Sequence, residues 1–311
     1  MTRFTGLHAV RRSLSAQGPQ WLWLRYQRPY HWPSTLAFFA ARCIPGIESC
    51  LEGVYRRSFV WAGRHGVLEA KPGVCLRVRL SGVAPAQVPG LIARLRRVFD
   101  LDAQPARIAA ALCADPLMAR LLAARPGLRV PKGWEPCEQA MRTVLGQQIS
   151  VAGAMTLAGR LVARHGQPLH AAEPCLSHVF PGVEALAVAE LTGLGMPQAR
   201  AMTLSTLARA LLVQPDLLRS GQPLERAINR LCLLKGIGPW SAHYLALRQL
   251  GDSDALPLGD VALVKALRLH EGPLAQLAER AQAWRPWRAY AAQHLWASLA
   301  DFPPASGRQG R

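Results

Sequence analysis

The stretch Leu234-Lys235-Gly236-Ile237-Gly238-Pro239-Trp240 predicts a tight turn between two helices. Glycines on both sides of Ile237 let the backbone bend sharply with its amides exposed, and Pro239 suits the first turn of a new helix. Upstream, apolar residues recur at close to helical spacing over residues 224–233. Residues near 224–250 are therefore predicted to form a helix-hairpin-helix motif.

A turn of this kind suits a phosphate group, because exposed amides at a helix N-terminus bind an anion without any side-chain charge. Ser241, in the first turn of the second helix, is predicted to add a hydroxyl contact. The hairpin residues predicted to bind a nucleic-acid backbone are Lys235, Gly236, Ile237, Gly238 and Ser241. From the turn alone, an ordinary connection between two helices is the alternative.

Asp260 is the candidate catalytic residue, and it directly precedes a predicted helix over residues 261–269. Its carboxylate suits the N-cap of that helix, which by itself is a purely structural role. A carboxylate at a helix start also faces outward and is stabilised in its charged form by the helix dipole. Capping and catalysis are therefore compatible at this position.

The hairpin and the separation of Trp240 from Asp260 resemble the helix-hairpin-helix base-excision DNA glycosylases, most closely the DNA-3-methyladenine glycosylase II family. The resemblance spans nearly the whole chain and includes residues 30–32, 36–42, 138–148 and 284–290. It implies an α+β protein, in which an N-terminal mixed α/β domain with an antiparallel sheet precedes an all-helical domain containing the hairpin. The lesion pocket is expected in the cleft between them.

The resemblance implies a catalytic role for Asp260 and an aromatic base pocket. The expected pocket walls are Trp240, Tyr244, Trp296 and Phe38. Trp240 and Tyr244 are four residues apart and therefore share one helix face. An aromatic stripe at helical spacing is more typical of a packed core, which is the alternative for each residue taken singly.

Gln147 and Gln148 are candidates for filling the gap that a flipped nucleotide leaves in the duplex. They lie between a helix predicted to end near Leu145 and another that Ser150 can cap, so they project from a loop. The family resemblance implies that the second of the two glutamines enters the duplex. A simple polar turn between helices is the alternative.

The predicted function is excision of alkylated bases from DNA. An N-alkylated purine such as 3-methyladenine carries positive charge and leaves its sugar without prior protonation. One carboxylate can then stabilise the oxocarbenium-like sugar and activate water. Trp240 stands where bifunctional relatives place a lysine nucleophile, which predicts a monofunctional enzyme that leaves an abasic site. Gly259, Val261 and Ala297 depart from the family pattern and indicate a roomier pocket.

Two alternatives to alkylated-base excision stay open at this stage. A non-enzymatic protein could use the hairpin only as a phosphate clamp, and in that case Asp260 would be a helix cap alone. A glycosylase for oxidised or deaminated bases would keep Asp260 and the hairpin but hold a different base. The residue pattern favours an alkylated-base glycosylase over both.

The domain boundaries follow from pattern and length. Residues 21–107 are predicted to form the α/β domain and 108–303 the helical domain, with an extension at 1–20 and a tail at 304–311. Helices are predicted over 36–43 and 88–99. A strand is predicted from the alternation of apolar residues at positions Val74, Leu76, Val78 and Leu80.

The formal net charge of +18 favours a polyanionic partner, here double-stranded DNA containing damaged bases. Arginine supplies nearly all of the positive charge, because Lys71, Lys132, Lys235 and Lys265 are the only lysines. Biased composition is the alternative explanation for this surplus.

The seven cysteines are scattered and lack the close paired spacing of a zinc or cluster site. No metal and no cofactor are therefore expected. The same scatter predicts a reduced, intracellular protein, and a DNA substrate implies a cytoplasmic location at the nucleoid. No apolar run is long enough for a secretory signal or a membrane span, and a monomer is the default expectation.

Overall fold

The computed structural model describes residues 11–13 and 19–302. These residues form a sheet with helices, followed by a mainly helical region, so the α+β class predicted from the sequence is confirmed. Most of the predicted extension 1–20 and all of the predicted tail 304–311 lie outside the described residues.

Six antiparallel strands form the N-terminal sheet. In chain order they are β1 (Arg11–Ser13), β2 (Gln20–Leu24), β3 (Glu48–Leu51), β4 (Val54–Trp61), β5 (Arg64–Lys71) and β6 (Leu76–Ser81). Their order across the sheet is β1-β2-β6-β5-β4-β3. Because Ser13 of β1 pairs with Trp21 of β2, the sheet begins inside the segment that the sequence predicts to be an extension.

Alternating burial along β6 confirms the predicted strand from Leu76 onward. Leu76, Val78 and Leu80 are fully buried and share one core with helix α2 (Val88–Val98). The prediction is wrong for Val74, which precedes the strand and is 81% exposed.

Helix α1 (Trp32–Ala40) starts and ends earlier than the predicted 36–43. Pro33 occupies its first turn, where the missing N–H leaves no intrahelical bond unmade. The ring Nδ1 of His31 accepts a hydrogen bond from the Ser34 amide at 3.3 Å and caps the helix. This cap places Phe38 in the last turns of α1, with Arg42 just beyond the helix.

Eleven further helices follow in the described residues. They are α3 (Pro105–Leu112), α4 (Pro116–Ala124), α5 (Pro136–Leu145), α6 (Val151–His165), α7 (Val183–Val188), α8 (Gln198–Val213), α9 (Leu224–Cys232), α10 (Pro239–Leu245), α11 (Val261–Glu271), α12 (Leu277–Arg280) and α13 (Arg288–Ser298). Proline begins α3, α4, α5 and α10, where it disturbs no helical hydrogen bond.

The helical region is not purely helical, which corrects the sequence prediction. An antiparallel hairpin of β7 (Gln167–Glu173) and β8 (Leu176–Val179) interrupts it. Cys175, in the connecting turn, has φ 66°, a left-handed conformation. The hairpin is stabilised by contacts distant in sequence, since the Ser58 hydroxyl donates to the His178 carbonyl and Leu176 bridges to Gly46. None of the helices that the structure describes has the length and hydropathy needed to cross a bilayer.

A buried ion network joins the sheet to α5. Arg57 on β4 contacts Glu138 Oε2 at 2.6 Å, and Glu138 Oε1 accepts from Arg142 Nη2 at 2.7 Å. Arg142 in turn pairs with Glu48 on β3, whose Oε1 also accepts from the Tyr55 hydroxyl at 2.6 Å. Paired in this way, the four charges are tolerated in the interior.

The charge network makes stability depend on pH. Burial alone raises the pKa of the Glu138 carboxyl, but the guanidinium groups of Arg57 and Arg142 outweigh burial and lower this pKa to about 2. A folded pKa below the unfolded value of about 4.3 stabilises the fold above that pH. This contribution to the free energy of unfolding is lost as the pH falls from about 4.3 toward 2.

We expect Glu138→Gln to lower the free energy of unfolding at pH 7 by roughly 3–5 kcal/mol, because two buried guanidinium groups lose a carboxylate. Urea unfolding followed by circular dichroism measures this loss. Glu190→Gln is the matched control, since Glu190 is exposed and, among the described residues, no salt bridge includes it, so stability should change by less than about 0.5 kcal/mol. A Glu138→Gln loss as small as that of the control contradicts a stabilising role for the network.

Candidate active site

The predicted hairpin is confirmed between α9 and α10. Gly236 has φ 90°, and a Cβ there would clash with the Thr203 hydroxyl, so this position requires glycine. Gly238 has φ −91°, and no atom lies within 4 Å of where its Cβ would be. Between them the Ile237 side chain is 4% exposed and anchors the turn in the helical core. The backbone of the turn is therefore exposed, whereas the Ile237 side chain is buried.

The Ser241 side chain is buried at the wall of a cleft, so its predicted phosphate contact stays a prediction. Ser241 is 3% exposed, and its Oγ accepts from Gln147 Nε2 at 2.9 Å. The same Gln147 nitrogen donates to the Gly236 carbonyl, also at 2.9 Å. Gln147 therefore ties the loop between α5 and α6 to the hairpin, while Lys235 stays exposed.

The predicted loop between α5 and α6 is confirmed. Helix α5 ends at Leu145, and the Ser150 side chain caps α6 by accepting from the Gly153 amide at 3.1 Å. Gln148 is exposed with φ 56°, an uncommon conformation for a residue other than glycine. Of the two glutamines, Gln147 is thus the one whose side chain holds the loop, and Gln148 is the one free to project from it.

The predicted N-cap role of Asp260 is confirmed, because its Oδ1 accepts from the Leu263 amide at 2.9 Å. Two indole N–H groups also bind this carboxylate. Trp296 Nε1 donates to Oδ1 at 3.0 Å, and Trp240 Nε1 donates to Oδ2 at 3.1 Å. From the sequence, both tryptophans are predicted only as pocket walls. Oδ2 keeps the capacity to accept a further hydrogen bond.

The four predicted pocket aromatics all line one cleft of about 1710 Å³ together with Asp260. The rings of Trp240 and Tyr244 stack, with centroids 5.2 Å apart and planes 10° from parallel. Trp296 meets Tyr244 edge to face, with centroids 6.2 Å apart. Gln147, Gln148 and Gly238 line the same cleft, which places the hairpin, the loop and the carboxylate around one opening.

Two arginines that sequence analysis missed also line this cleft. The guanidinium carbons of Arg42 and Arg248 each lie 4.3 Å from the centroid of the Phe38 ring. Arg248 is 2% exposed and donates to the Pro131 carbonyl at 3.0 Å and to Gln293 Oε1 at 2.8 Å. The arginines follow Phe38 and Tyr244 by four residues, and this helical spacing is the sequence signal that could have revealed them.

The arginines change the electrostatics expected of an aromatic box. Burial lowers the pKa of Arg248 to about 10, so the group stays charged at neutral pH. Burial raises the pKa of the Tyr244 hydroxyl, but Arg42 and Arg248 outweigh burial, and the pKa falls below its usual value. The Phe38 ring already receives cation–π contacts from the protein itself.

The fold is shared with solved DNA glycosylases. The 3-methyladenine DNA-glycosylase from Archaeoglobus fulgidus has a TM-score of 0.79 at 22% identity, over 91% of this chain and 99% of that one. An 8-oxoguanine glycosylase/lyase from Clostridium acetobutylicum, solved with double-stranded DNA, has a TM-score of 0.73 at 15% identity, over 94% and 98% of the two chains. This is the fold of the helix-hairpin-helix DNA glycosylases.

Sequence similarity defines the family more narrowly. Residues 21–135 match the AlkA N-terminal domain. The chain is 36% identical to DNA-3-methyladenine glycosylase 2 of Escherichia coli over 279 residues, which are 88% of this chain and 95% of that protein. The chain belongs to the DNA-3-methyladenine glycosylase 2 (AlkA) family, which confirms the resemblance inferred from the motifs.

A second relative is much longer. The probable bifunctional transcriptional activator/DNA repair enzyme AlkA of Mycobacterium tuberculosis is 37% identical over 282 residues, which are 89% of this chain. The matched region is 56% of that relative, so the chain spans about half of its length.

The two hairpin glycines are a matched pair for mutation. We expect Gly236→Ala to lower the free energy of unfolding by roughly 2–4 kcal/mol, because a left-handed φ and a clash with Thr203 both oppose the side chain. Gly238→Ala should lower it by no more than about 1 kcal/mol, since its φ is ordinary and its surroundings are open. Thermal unfolding of both variants measures the difference, and equal losses would contradict this geometry.

Proposed function

We propose that this protein is a monofunctional DNA glycosylase that flips alkylated bases of the 3-methyladenine and 7-methylguanine type out of duplex DNA. It then hydrolyses the N-glycosidic bond and leaves an abasic site. The observation that carries this proposal is the Asp260 carboxylate, held by two indole N–H groups at an aromatic cleft beside the hairpin. The names of the E. coli and M. tuberculosis relatives support the same reaction.

DNA binding in this proposal uses the hairpin and the adjacent loop. The exposed backbone around Gly236 and Gly238 can hold a phosphate through amide N–H groups, with the N-terminus of α10 behind them. The net charge of +18 favours encounter with DNA and makes affinity fall as salt rises. Gln148 is exposed on the neighbouring loop and is the residue we assign to the gap in the duplex.

The flipped base then enters the aromatic cleft. Trp240, Tyr244 and Trp296 offer ring surfaces for stacking, which is worth roughly 1–3 kcal/mol per base. The same two tryptophans hold Asp260, so the base and the carboxylate are positioned by one set of side chains. This arrangement supports a binding pose in which the sugar of a stacked base lies close to the carboxylate.

The chemical step needs an anion at the sugar. As the glycosidic bond breaks, positive charge develops on the deoxyribose, and Asp260 stabilises that charge. The same carboxylate accepts a proton from the water that attacks the sugar. Trp240 has no amine with which to attack the sugar, so strand cleavage through a covalent intermediate is not part of this mechanism.

We also propose that the chain acts as a monomer on chromosomal DNA in the cytoplasm, with a sheet domain at 21–107, which β1 and Gln20 extend toward the N-terminus, and a helical domain at 108–303. Separate cores in the two regions support this division, although Ile44 and Ile47 pack into the helical core. The cleft that holds Asp260 has walls from both domains, including Phe38 and Trp296.

We expect Asp260→Asn to reduce release of methylated purines by roughly 10²- to 10³-fold, because the developing positive charge loses its anion. Duplexes carrying single 3-methyladenine or 7-methylguanine residues are the substrates, and chromatography measures the free base. Affinity for an abasic-site analogue duplex should stay within about threefold, since an asparagine at this position would still cap α11. Strand breaks should appear only after alkali, as a monofunctional enzyme requires.

The control is Asp216→Asn, which removes an exposed carboxylate that pairs with Arg230 outside the cleft. Its activity should equal that of the unmodified protein. Full activity of Asp260→Asn would eliminate the mechanism. Duplex binding without release of any damaged base by the unmodified protein would instead identify a non-enzymatic hairpin protein.

A further inference from the structure

Arg42 and Arg248, which we call the arginine pair, bring two positive charges to the base-binding cleft. In addition to its contact with Phe38, the Arg248 guanidinium carbon lies 5.1 Å from the ring centroid of Trp296 and 5.6 Å from that of Tyr244. The pair therefore contacts three of the four aromatic walls. A flipped base stacked on these rings would lie next to both guanidinium groups.

Carboxylates neutralise the charges of the arginine pair only in part, through the electrostatic effect of Asp260 on Arg248. Among the residues that the structure describes, neither arginine forms a salt bridge, and Arg42 donates to an uncharged acceptor, the Phe38 carbonyl, at 3.4 Å. Two other carboxylates at the cleft, Glu48 and Glu138, are already paired with Arg57 and Arg142. Asp260 is the remaining carboxylate that lines the described cleft, and it holds two indole N–H groups.

The backbone places Arg248 in the cleft in an unusual way. Helix α10 continues as a π-helical segment, Ala246–Leu250, which contains this arginine. Such segments are rare and occur often at functional sites. The Arg248 Nε atom is buried and has no hydrogen-bond partner among the described residues. A buried donor without a partner is costly, so the position of Arg248 at the cleft is unfavourable for stability.

We propose that the arginine pair stabilises the electrons that the departing base takes with it, and that these two residues thereby set how well uncharged damaged purines are cleaved relative to cationic ones. This inference rests on the proposed glycosylase function. The role of the pair complements that of Asp260, because positive charge faces the base and negative charge faces the sugar.

The electron balance of the reaction gives the reason. The bond from C1′ to the base nitrogen breaks, and its electron pair goes to the base. Water forms the new C1′–O bond and gives its proton to Asp260. A cationic base thus leaves neutral, whereas an uncharged base leaves as an anion and takes up a proton from solvent after departure. Positive charge beside the base favours both departures.

The two kinds of substrate differ in how they bind. The arginine pair repels a cationic base in the bound state, which weakens its binding, whereas an uncharged base with a carbonyl oxygen meets no such repulsion. Removing an arginine should therefore slow cleavage of both bases but tighten binding of the cationic one. Tighter binding offsets slower cleavage in the kcat/KM for the cationic base but not in that for the uncharged base. The ratio of kcat/KM for an uncharged base to that for a cationic base must therefore fall.

The test compares one duplex containing 2′-deoxyinosine, whose base is uncharged, with another containing 7-methyl-2′-deoxyguanosine, whose base is cationic. For Arg42→Gln we expect the ratio of kcat/KM for the deoxyinosine duplex to kcat/KM for the 7-methyldeoxyguanosine duplex to fall on the order of tenfold. Single-turnover rates should fall for both duplexes. The Kd for the 7-methylguanine duplex, divided by that for undamaged DNA, should decrease. A merely structural defect would lower both kcat/KM values together.

Arg94→Gln is the matched control, because its guanidinium carbon lies 4.6 Å from the Trp61 ring centroid and it does not line the cleft. It removes an arginine and a cation–π contact and should leave the ratio unchanged. Arg248→Gln should shift the ratio in the same direction as Arg42→Gln, and if this buried variant does not fold, Arg42→Gln decides alone.

The outcomes separate this inference from the function on which it rests. An unchanged ratio in Arg42→Gln overturns the inference. Release of 7-methylguanine but never of hypoxanthine by the unmodified protein also overturns it, while the glycosylase proposal stands. Release of neither base, together with no release of 3-methyladenine, overturns both.

Discussion

The carboxylate of Asp260 receives N–H groups from three helices, and the geometry of the whole cleft depends on this convergence. Leu263 belongs to α11, Trp240 to α10 and Trp296 to α13. Hydrogen bonds to a charged acceptor are stronger than neutral ones, and three together fix the position of both oxygens. The stacked aromatic rings are therefore oriented by the same anion that, in the proposed mechanism, meets the sugar. Loss of that charge would disturb the walls of the pocket as well as the chemistry.

Local sequence signals were sufficient for the parts of the fold that depend on neighbouring residues. The turn at Gly236, the caps at Ser150 and Asp260 and the alternation along β6 are all signalled by residues close in sequence, although Thr203 also requires glycine at position 236. Such contacts can be predicted from propensity, capping and periodicity. The early start of α1 has a local cause too, in His31 and Pro33, but its apolar run pointed to a later segment.

Features that depend on distant residues could not be predicted in this way. The hairpin of β7 and β8 is stabilised against Ser58 and Gly46, far away in the sequence. Burial of the Ser241 hydroxyl depends on Gln147, which reaches it from another loop. The position of Arg248 depends on a π-helical segment and on Gln293. No sequence periodicity indicates these contacts. Only the family resemblance predicted that the four aromatic residues line one pocket.

The arginines at the cleft fall into two groups, one paired with carboxylates and one packed against aromatic rings. This difference bears on which bases the site selects. Arg57 and Arg142 face Glu48 and Glu138, so that network is internally neutral and serves the packing of sheet against helix. The arginine pair faces aromatic rings, and Asp260 is the one carboxylate lining the described cleft that offsets part of its charge. Unbalanced buried charge is unfavourable for stability. This charge lies in the wall that a flipped base would contact. During the reaction electrons move onto the departing base, and stabilisation of those electrons best explains the positive charge.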